Sequence, residues 1–235
     1  TPSLLERLKL SQSAKRPAVV ATRLPSGEQL LLPEDGASPA LLEAARAALA
    51  ADRSGTVQAG GETWFLHVHN PPLRLVVVGA VHIAQALVPM AAHLGYALVL
   101  VDPRRSFANA ERFPDVTIST DWPDEAMDAL RPDARTAIVT LTHDPKLDDP
   151  ALDRALKSPA FYIGSLGSRR THAARLKRLR ELGHDEAALA RIRGPIGLPI
   201  EAVTTPEIAL SILAEIVAVR RGSPLAAAAP VGRAA

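Results

Sequence analysis

The sequence has 235 residues, of which 47 % are hydrophobic, 22 % charged and 3 % aromatic, and its formal net charge is +2 at pH 7. It contains no cysteine, which excludes disulfides, thiolate catalysis and cysteine-ligated metals, and its small charge without a concentrated basic stripe argues against a nucleic-acid partner. No apolar run reaches the roughly 18 residues of a membrane span and no signal-peptide pattern is present, so we expect a cytoplasmic protein with no membrane partner.

Residues 1–70 predict a small N-terminal α+β domain. Ser38 followed by Pro39 is typical of a helix start, and Gly60-Gly61 between two strand-like runs predicts a hairpin. Two prolines after Asn70 favour an extended linker. The predicted elements are an amphipathic start at residues 4–8, strands at 18–22, 29–32, 55–57 and 62–69, and a helix at 39–51.

Residues 73–220 alternate strand-like and helix-like segments, which predicts an α/β fold, a Rossmann-like doubly wound parallel sheet. Thr204 to Glu207 combines a capping box with a first-turn proline and predicts the start of the last helix. Residues 221–235, rich in Ala, Pro and Gly, predict a flexible tail. Strands are predicted at 73–79, 97–101, 116–119, 136–142 and 160–165, and helices at 82–94, 124–130, 149–156, 170–182 and 205–220.

The first turn of this region resembles a dinucleotide-binding loop with one glycine missing. Gly79 stands at the first glycine of the G-x-G-x-x-G/A pattern, but Val81 occupies the second glycine position, where the backbone must approach a pyrophosphate. His82 follows at the predicted helix N-terminus, which favours anions. Asp102 ends the next strand, where an acidic residue would meet a ribose hydroxyl. A plain strand-to-helix turn explains the same pattern.

Two further candidate groups follow the predicted strands. Arg104 lies just after Asp102, where a guanidinium could meet a phosphate, although a solvated surface arginine is the alternative. His143 and Asp144 close the next strand, and ligands of open α/β sheets bind beyond the carboxyl ends of the strands. His143 is therefore a candidate proton donor or hydrogen-bond partner that Asp144 orients, and an Asp-Pro turn without chemistry is the alternative.

The segment that favours anion binding most strongly lies between the last predicted strand and a basic helix. Gly164, Ser165, Gly167, Ser168 and Arg169 supply backbone amides, hydroxyls and a guanidinium for an anionic group. A flexible loop followed by a solvated basic helix face is the alternative. No residues in the sequence have metal-ligand spacing, and no nucleophile or P-loop motif identifies a catalytic residue.

Six ordered motifs over about residues 62–220 resemble the XdhC/CoxI family: G-A-V-H-I-A, V-D-P-R-R, T-H-D-P-K-L-D, F-Y-I-G-S-L-G-S-R-R-T-H, G-P-I-G-L and T-P-E-I-A-L-S-I-L-A-E-I. The resemblance implies an accessory factor that binds molybdenum cofactor, as molybdopterin or its dinucleotide form, and delivers it to an apo molybdenum hydroxylase. It also implies a homodimer and a cysteine desulfurase partner. This interpretation favours a cofactor chaperone that is not itself a catalyst.

The sequence departs from the family pattern at two points. Members commonly carry a cysteine-containing motif in the N-terminal domain, which is missing here, so these residues cannot offer the molybdenum a thiol. Val81 replaces the second glycine of the usual G-x-G-H loop. Two alternatives therefore remain open: an NAD(P)-dependent oxidoreductase, which Asp102 and the turn at Gly79 favour, and a nucleotide-binding regulatory module.

Overall fold

The structure is a computed structural model that describes residues 2–227. The chain divides into two compact units, Thr1–Pro71 and Pro72–Ala235. Within the described residues, no helix is long and apolar enough to cross a membrane.

The first unit is a four-stranded antiparallel sheet with the order β2-β1-β4-β3 and two helices. Its core forms where α2 packs Leu41 and Ala45 against Trp64 and Leu66 of the sheet. The predicted cap is present, because the Ser38 hydroxyl accepts a hydrogen bond from the amide of Leu41. The elements are α1 Leu4–Ser13, β1 Ala18–Leu24, β2 Gln29–Leu32, α2 Pro39–Ala51, β3 Gly55–Ala59 and β4 Glu62–His69.

The second unit contains a six-stranded sheet whose paired strands are all parallel, in the order β10-β9-β8-β5-β6-β7. Counted within the unit this is the 3-2-1-4-5-6 order of a Rossmann fold, which confirms the predicted fold class. The order reverses between β5 and β8, where Val78 pairs with Thr140. The strands are β5 Arg74–Val78, β6 Ala97–Val101, β7 Thr117–Ser119, β8 Thr136–Thr140, β9 Tyr162–Ser165 and β10 Ile192–Arg193.

Helices cover both faces of this sheet. Leu75 and Val77 of β5 belong to the core cluster that includes residues of α3 and α8, whereas Val76 and Val78 belong to the cluster under α4, α5 and α6. This alternation, with every one of the four side chains buried, explains the continuous apolar run in the sequence. The helices are α3 His82–His93, α4 Pro123–Leu130, α5 Pro145–Leu156, α6 Arg169–Glu181, α7 Glu186–Leu189 and α8 Thr205–Arg220.

The structure corrects one predicted helix start and adds two short elements that were not predicted. Helix α5 begins at Pro145, four residues earlier than predicted, because Asp144 caps it and a proline at the first helical position loses no hydrogen bond. The two-residue strand β10 and the short helix α7 carry too little pattern to be predicted.

The structure corrects the first part of the predicted flexible tail. Residues Pro224–Ala227 form a 3-10 helix that packs against α8. The rest of the predicted tail, residues 228–235, lies outside the described part of the chain.

Candidate functional site

Two loops meet at the point where the strand order reverses. The β5–α3 loop, residues 79–81, contacts the β8–α5 loop, residues 141–144, through Gly79 and Thr142. Gly79 has a φ of +109°, and a Cβ atom on it would lie 2.6 Å from Cγ2 of Thr142 and 3.2 Å from its amide nitrogen. The turn therefore requires glycine both for its backbone conformation and for this close approach.

Asp102 directly follows β6 and is fully buried beside the first loop. One carboxylate oxygen accepts a hydrogen bond from the amide of Ala80 at 2.8 Å, and both oxygens accept from Arg104, whose Nη2 lies 2.7 Å away. Burial opposes ionisation, but these donors outweigh it and hold the pKa of Asp102 below its ordinary value. A ribose hydroxyl could reach this carboxylate only if Arg104 moved, so the predicted ribose contact stays a prediction.

Arg112 is a further support of the same loop, which no sequence motif indicated. Its Nη1 donates hydrogen bonds to the carbonyl oxygens of Ala80 and Phe107, and its Nη2 donates to Gln85. The guanidinium groups of Arg104 and Arg112 lie 4.7 and 5.7 Å from the ring centre of Phe107, within cation–π range. The loop after β6 thus fixes Arg104 beside the switch point, which is the position between β5 and β8 where the strand order reverses.

The carboxyl edge of the sheet opens into a cavity of about 670 Å³, named here the His82 cavity. Helix α3 begins at its wall, and among residues 2–227 no side chain caps the helix at Val81, so the first amides of α3 are available to an anionic ligand. Five predicted site residues line it: Val81, His82, Arg104, His143 and Asp144.

The β8–α5 loop places two of these residues at the cavity with different roles. The Asp144 carboxylate accepts a hydrogen bond from the amide of Lys146 at 2.9 Å and caps α5. No hydrogen bond joins Asp144 to His143 among the described residues, so the expectation that Asp144 orients His143 stays a prediction. The exposed His143 ring lines the cavity next to it.

The β9–α6 loop, residues 166–168, carries the other predicted cluster. The Ser168 hydroxyl accepts a hydrogen bond from the amide of Thr171 at 3.1 Å and caps α6. Gly167 has a φ of +141°, and a Cβ atom there would lie 3.1 Å from side-chain atoms of Thr171. Arg169 occupies the first turn of α6 and is exposed.

Gly164 and Ser165 lie in β9, below these loops, which corrects the expectation that the whole segment faces a ligand. The Ser165 hydroxyl is fully buried and shares a 2.5 Å hydrogen bond with that of Thr140. A Cβ atom on Gly164 would lie 2.6 Å from the side chain of Ile196. Both residues are needed for close packing of the sheet, and neither lines either cavity of the site.

A second cavity of about 320 Å³, named here the Ser168 cavity, adjoins the first at Leu166, which lines both. Gly167, Ser168 and Arg169 form one wall, residues 195–202 form a second wall, and Ile208 and Ser211 of α8 also line the cavity. Glu215 of α8 holds that second wall, since its buried carboxylate accepts hydrogen bonds from the amide of Gly197 and the hydroxyl of Tyr162.

Both cavities lie in a part of the chain that matches a known domain family. The sequence profile of the XdhC Rossmann domain matches residues 75–216. The chain belongs to the XdhC family.

Curated relatives of this XdhC Rossmann domain include three bacterial proteins. YqeB of Escherichia coli (strain K12), an uncharacterized protein, is 37 % identical over 79 % of this chain. The molybdenum cofactor insertion chaperone PaoD of the same strain is 35 % identical over 64 % of the chain, and a probable xanthine dehydrogenase subunit from Bacillus subtilis (strain 168) is 29 % identical over 67 %. The matches span only 34, 41 and 46 % of the three relatives' lengths.

A solved structure described as a xanthine dehydrogenase from Bacillus halodurans superposes with a TM-score of 0.71. It is 23 % identical and covers 95 % of this chain and 66 % of that protein. At this identity the likeness establishes the fold.

The XdhC site offers hydrogen-bond donors and cations around two joined cavities. His82, His143, Arg104 and Arg169 suit an anionic ligand, whereas Asp144 in the His82 cavity and Glu201 in the Ser168 cavity are exposed carboxylates. In the described residues, no group of three or more histidine or acidic side chains is arranged to hold a metal ion. These donors are of the kind that favours an anionic group, and the cysteine-free sequence offers no thiolate with which to ligate a metal.

Sequence reasoning missed the buried residues behind the loops, chiefly Asp148, Arg175 and Glu215. A signal existed for Arg175, which stands four positions before the buried Leu179 and so lies on the apolar face of a basic helix. Asp148 likewise stands four positions before the buried Leu152 in α5. A charge on an apolar helix face indicates a buried partner.

Proposed function

We propose that this chain binds molybdenum cofactor at the carboxyl edge of its six-stranded sheet and takes part in its insertion into an apo molybdenum hydroxylase. The observation that carries the proposal is the meeting of three separate motifs at two cavities that share Leu166. Family membership and the similarity to the cofactor insertion chaperone PaoD support the choice of ligand.

The donor set fits the anionic part of that ligand, a pterin that carries a phosphate. The uncapped start of α3 and the His82 ring would bind one anionic group of the ligand. Arg169, at the start of α6, would bind a negatively charged group of the ligand in the adjoining Ser168 cavity. The Val81 side chain would hinder a phosphate from approaching the backbone of the β5–α3 loop, so the phosphate would approach from the side of the β9–α6 loop. In this proposal the ligand is cargo, and none of these residues needs to act as a catalyst.

The partners follow from the same proposal. An apo hydroxylase of the xanthine dehydrogenase or CO dehydrogenase type would receive the cofactor, and a cysteine desulfurase would supply sulfur from outside this cysteine-free chain. A homodimer is supported by an apolar groove of about 690 Å³ between α3 and α8. The cytoplasmic location expected from the sequence stays a prediction.

An NAD(P)-binding module is the second candidate, because the 3-2-1-4-5-6 sheet places Asp102 at the end of its second strand. Against it stand Val81 in the first loop and the pairing of Asp102 with Arg104. Titration with NADH and NADPH discriminates the two candidates: we expect no binding tighter than roughly micromolar, which corresponds to about 8 kcal/mol.

The direct experiment is isolation of the protein from cells that make molybdenum cofactor, followed by mass spectrometry of the small molecules that accompany it. We expect the pterin cofactor in the protein fraction. Recovery of a nicotinamide nucleotide in its place would overturn the proposal in favour of the second candidate, and recovery of neither would overturn both.

A further inference from the structure

A chain of buried polar contacts joins the β8–α5 loop to the β9–α6 loop. The hydroxyl of Thr142 donates a 2.6 Å hydrogen bond to Oδ1 of Asp148, and Oδ2 of Asp148 lies 3.6 Å from Nη2 of Arg175. The same Nη2 donates a 2.8 Å hydrogen bond to the carbonyl oxygen of Leu166. Each of the three side chains in this chain is at most 3 % exposed.

Only the two ends of this contact chain touch the candidate site. Thr142 lines the His82 cavity, and Leu166 lines both cavities. Asp148 and Arg175 line neither, so they act on a ligand only through the loops that they hold. Thr142 also packs against Gly79, which extends the connection to the β5–α3 loop.

Asp148 is the ion-pair partner of the buried Arg175. Nε and Nη1 of Arg175 are buried and have no hydrogen-bond partner among the described residues. The neighbouring carboxylate, Asp149, pairs instead with Arg178, at 2.5 and 3.0 Å. Removal of Asp148 would therefore leave a buried guanidinium without its ion pair.

A buried ion pair is seldom worth more to stability than apolar side chains of the same volume. Two arginine nitrogens without partners make this pair a poor stabiliser. Its geometry, in contrast, is specific, because one guanidinium nitrogen reaches both Asp148 and the carbonyl oxygen of Leu166. The pair thus fixes where the two loops stand relative to each other.

We propose that Asp148 and Arg175 form a positioning pair that sets the spacing of the two loops and thereby the affinity of the site for its anionic ligand. The inference rests on the proposed function for the identity of that ligand. It assigns a role to two residues that touch neither cavity.

The test compares Asp148→Asn with a matched control, Asp149→Asn. Both variants remove one carboxylate from α5 that pairs with an arginine of α6, but only Asp148 connects to the loops. Retention of molybdenum cofactor by the purified protein is measured by equilibrium dialysis at pH 8, where Asp148 is ionised. We expect affinity to fall roughly 10-fold in Asp148→Asn, as for other residues that orient ligand-binding groups, and to stay within about 2-fold in Asp149→Asn.

Amide hydrogen exchange of the ligand-free protein gives a readout that does not depend on the cofactor. The amide of Asp144 donates to the Thr142 hydroxyl and that of Leu166 donates to the Thr140 carbonyl, so both report loop order. In Asp148→Asn we expect both amides to exchange at least about 10-fold faster, with Val77 in the central strand unchanged.

A double variant, Asp148→Asn with Arg175→Met, separates positioning from stability. It removes both charges and leaves no buried guanidinium, so thermal stability should recover relative to Asp148→Asn alone. If the pair positions the loops, cofactor affinity and loop protection stay low. Recovery of affinity together with stability would overturn the inference.

The two proposals fail in different ways. A native protein that retains no cofactor contradicts the proposed function, while the exchange of Asp144 and Leu166 still tests the pair. Unchanged exchange at both amides in Asp148→Asn contradicts the positioning role even if the native protein binds cofactor.

Discussion

Nη2 of Arg175 lies 3.6 Å from Oδ2 of Asp148, and each of the two side chains is 2 % exposed. Burial raises the pKa of Asp148 to about 7, against the opposing effects of the Thr142 hydrogen bond and the Arg175 charge. Burial also lowers the pKa of Arg175, and the nearby carboxylates oppose that shift. Between the ordinary pKa of 3.8 and about 7, the folded protein therefore keeps on Asp148 a proton that the unfolded chain has released, and Asp148 and Arg175 form a fully charged ion pair only above about pH 7.

This raised pKa predicts a stability that declines with rising pH. Between the ordinary value of 3.8 and about 7, the folded state binds more protons at Asp148 than the unfolded state. The stabilising contribution is fully present below the ordinary pKa and is lost as pH rises through about 7. We expect the free energy of unfolding in urea to fall between pH 5 and pH 8, and to fall by on the order of a few kcal/mol more in the native protein than in Asp148→Asn.

The difference between native and variant protein isolates this group from the other carboxylates. Asp102, whose pKa is lowered, contributes in the opposite direction, since its stabilisation is lost as pH falls. Parallel pH profiles for the native protein and Asp148→Asn would show that Asp148 titrates as it does in the unfolded chain.

Gly79→Ala should lower the stability of the protein by more than the cost of placing an alanine at a positive φ, because the added methyl group would also clash with Thr142. The added Cβ would lie 2.6 Å from Cγ2 of Thr142, at a φ of +109°. Gly95→Ala is the control, because Gly95 also has a positive φ, +79°, but open space around its Cβ position. We expect urea unfolding to show an additional loss of about 1–3 kcal/mol at Gly79; equal losses at both sites would refute the close approach.

Glu215→Ala should lower the free energy of unfolding more than Tyr162→Phe does. Glu215 accepts hydrogen bonds from the Tyr162 hydroxyl, the Gly197 amide and Nη1 of Arg193. Its removal leaves two buried donors unsatisfied and takes the ion-pair partner from Arg193, a cost on the order of 3 kcal/mol. Tyr162→Phe removes one donor and leaves the Gly197 contact in place, a cost of about 1 kcal/mol. Denaturant unfolding measures both, and a larger loss in Tyr162→Phe would contradict this arrangement.

The apolar groove between α3 and α8 predicts a self-association surface. Leu210 and Val217 are 54 % and 40 % exposed there, and an exposed apolar patch of this kind is typical of interfaces. Light scattering after gel filtration should give a dimer for the native protein and a monomer for Leu210→Glu. Leu182→Glu, at a similarly exposed leucine away from the groove, should remain a dimer, and a native monomer would exclude the interface.

Elements with strong periodicity were predictable from the sequence. The apolar run before Gly79 and the helix signals at Ser38 and Thr204 each follow from local chemistry, and the structure places strand and helices there. The start of α5 was misplaced because Asp144-Pro145 fits a turn as well as a capped helix, and only the packing of the following residues decides between them.

The candidate site was predictable only in its outer layer. Residues that follow strands, such as His82 and His143, reach the cavities because the carboxyl ends of parallel strands share one edge. Ser165 did not, because strand β9 continues through it and buries its hydroxyl. Asp148 and Arg175 lie on two different helices and are 27 positions apart in the sequence, so no local pattern specifies their contact.

Equilibrium dialysis of the purified protein with molybdenum cofactor measures whether the carboxyl edge of the sheet binds that cofactor. His82→Ala and Arg169→Ala alter exposed cavity residues at the starts of two different helices, and Lys177→Ala removes an exposed charge farther along α6. We expect the native protein and Lys177→Ala to retain the cofactor, and the other two variants to lose about 10-fold or more in affinity. Equal retention in all four proteins, or none in the native protein, would show that the cofactor does not bind at this edge.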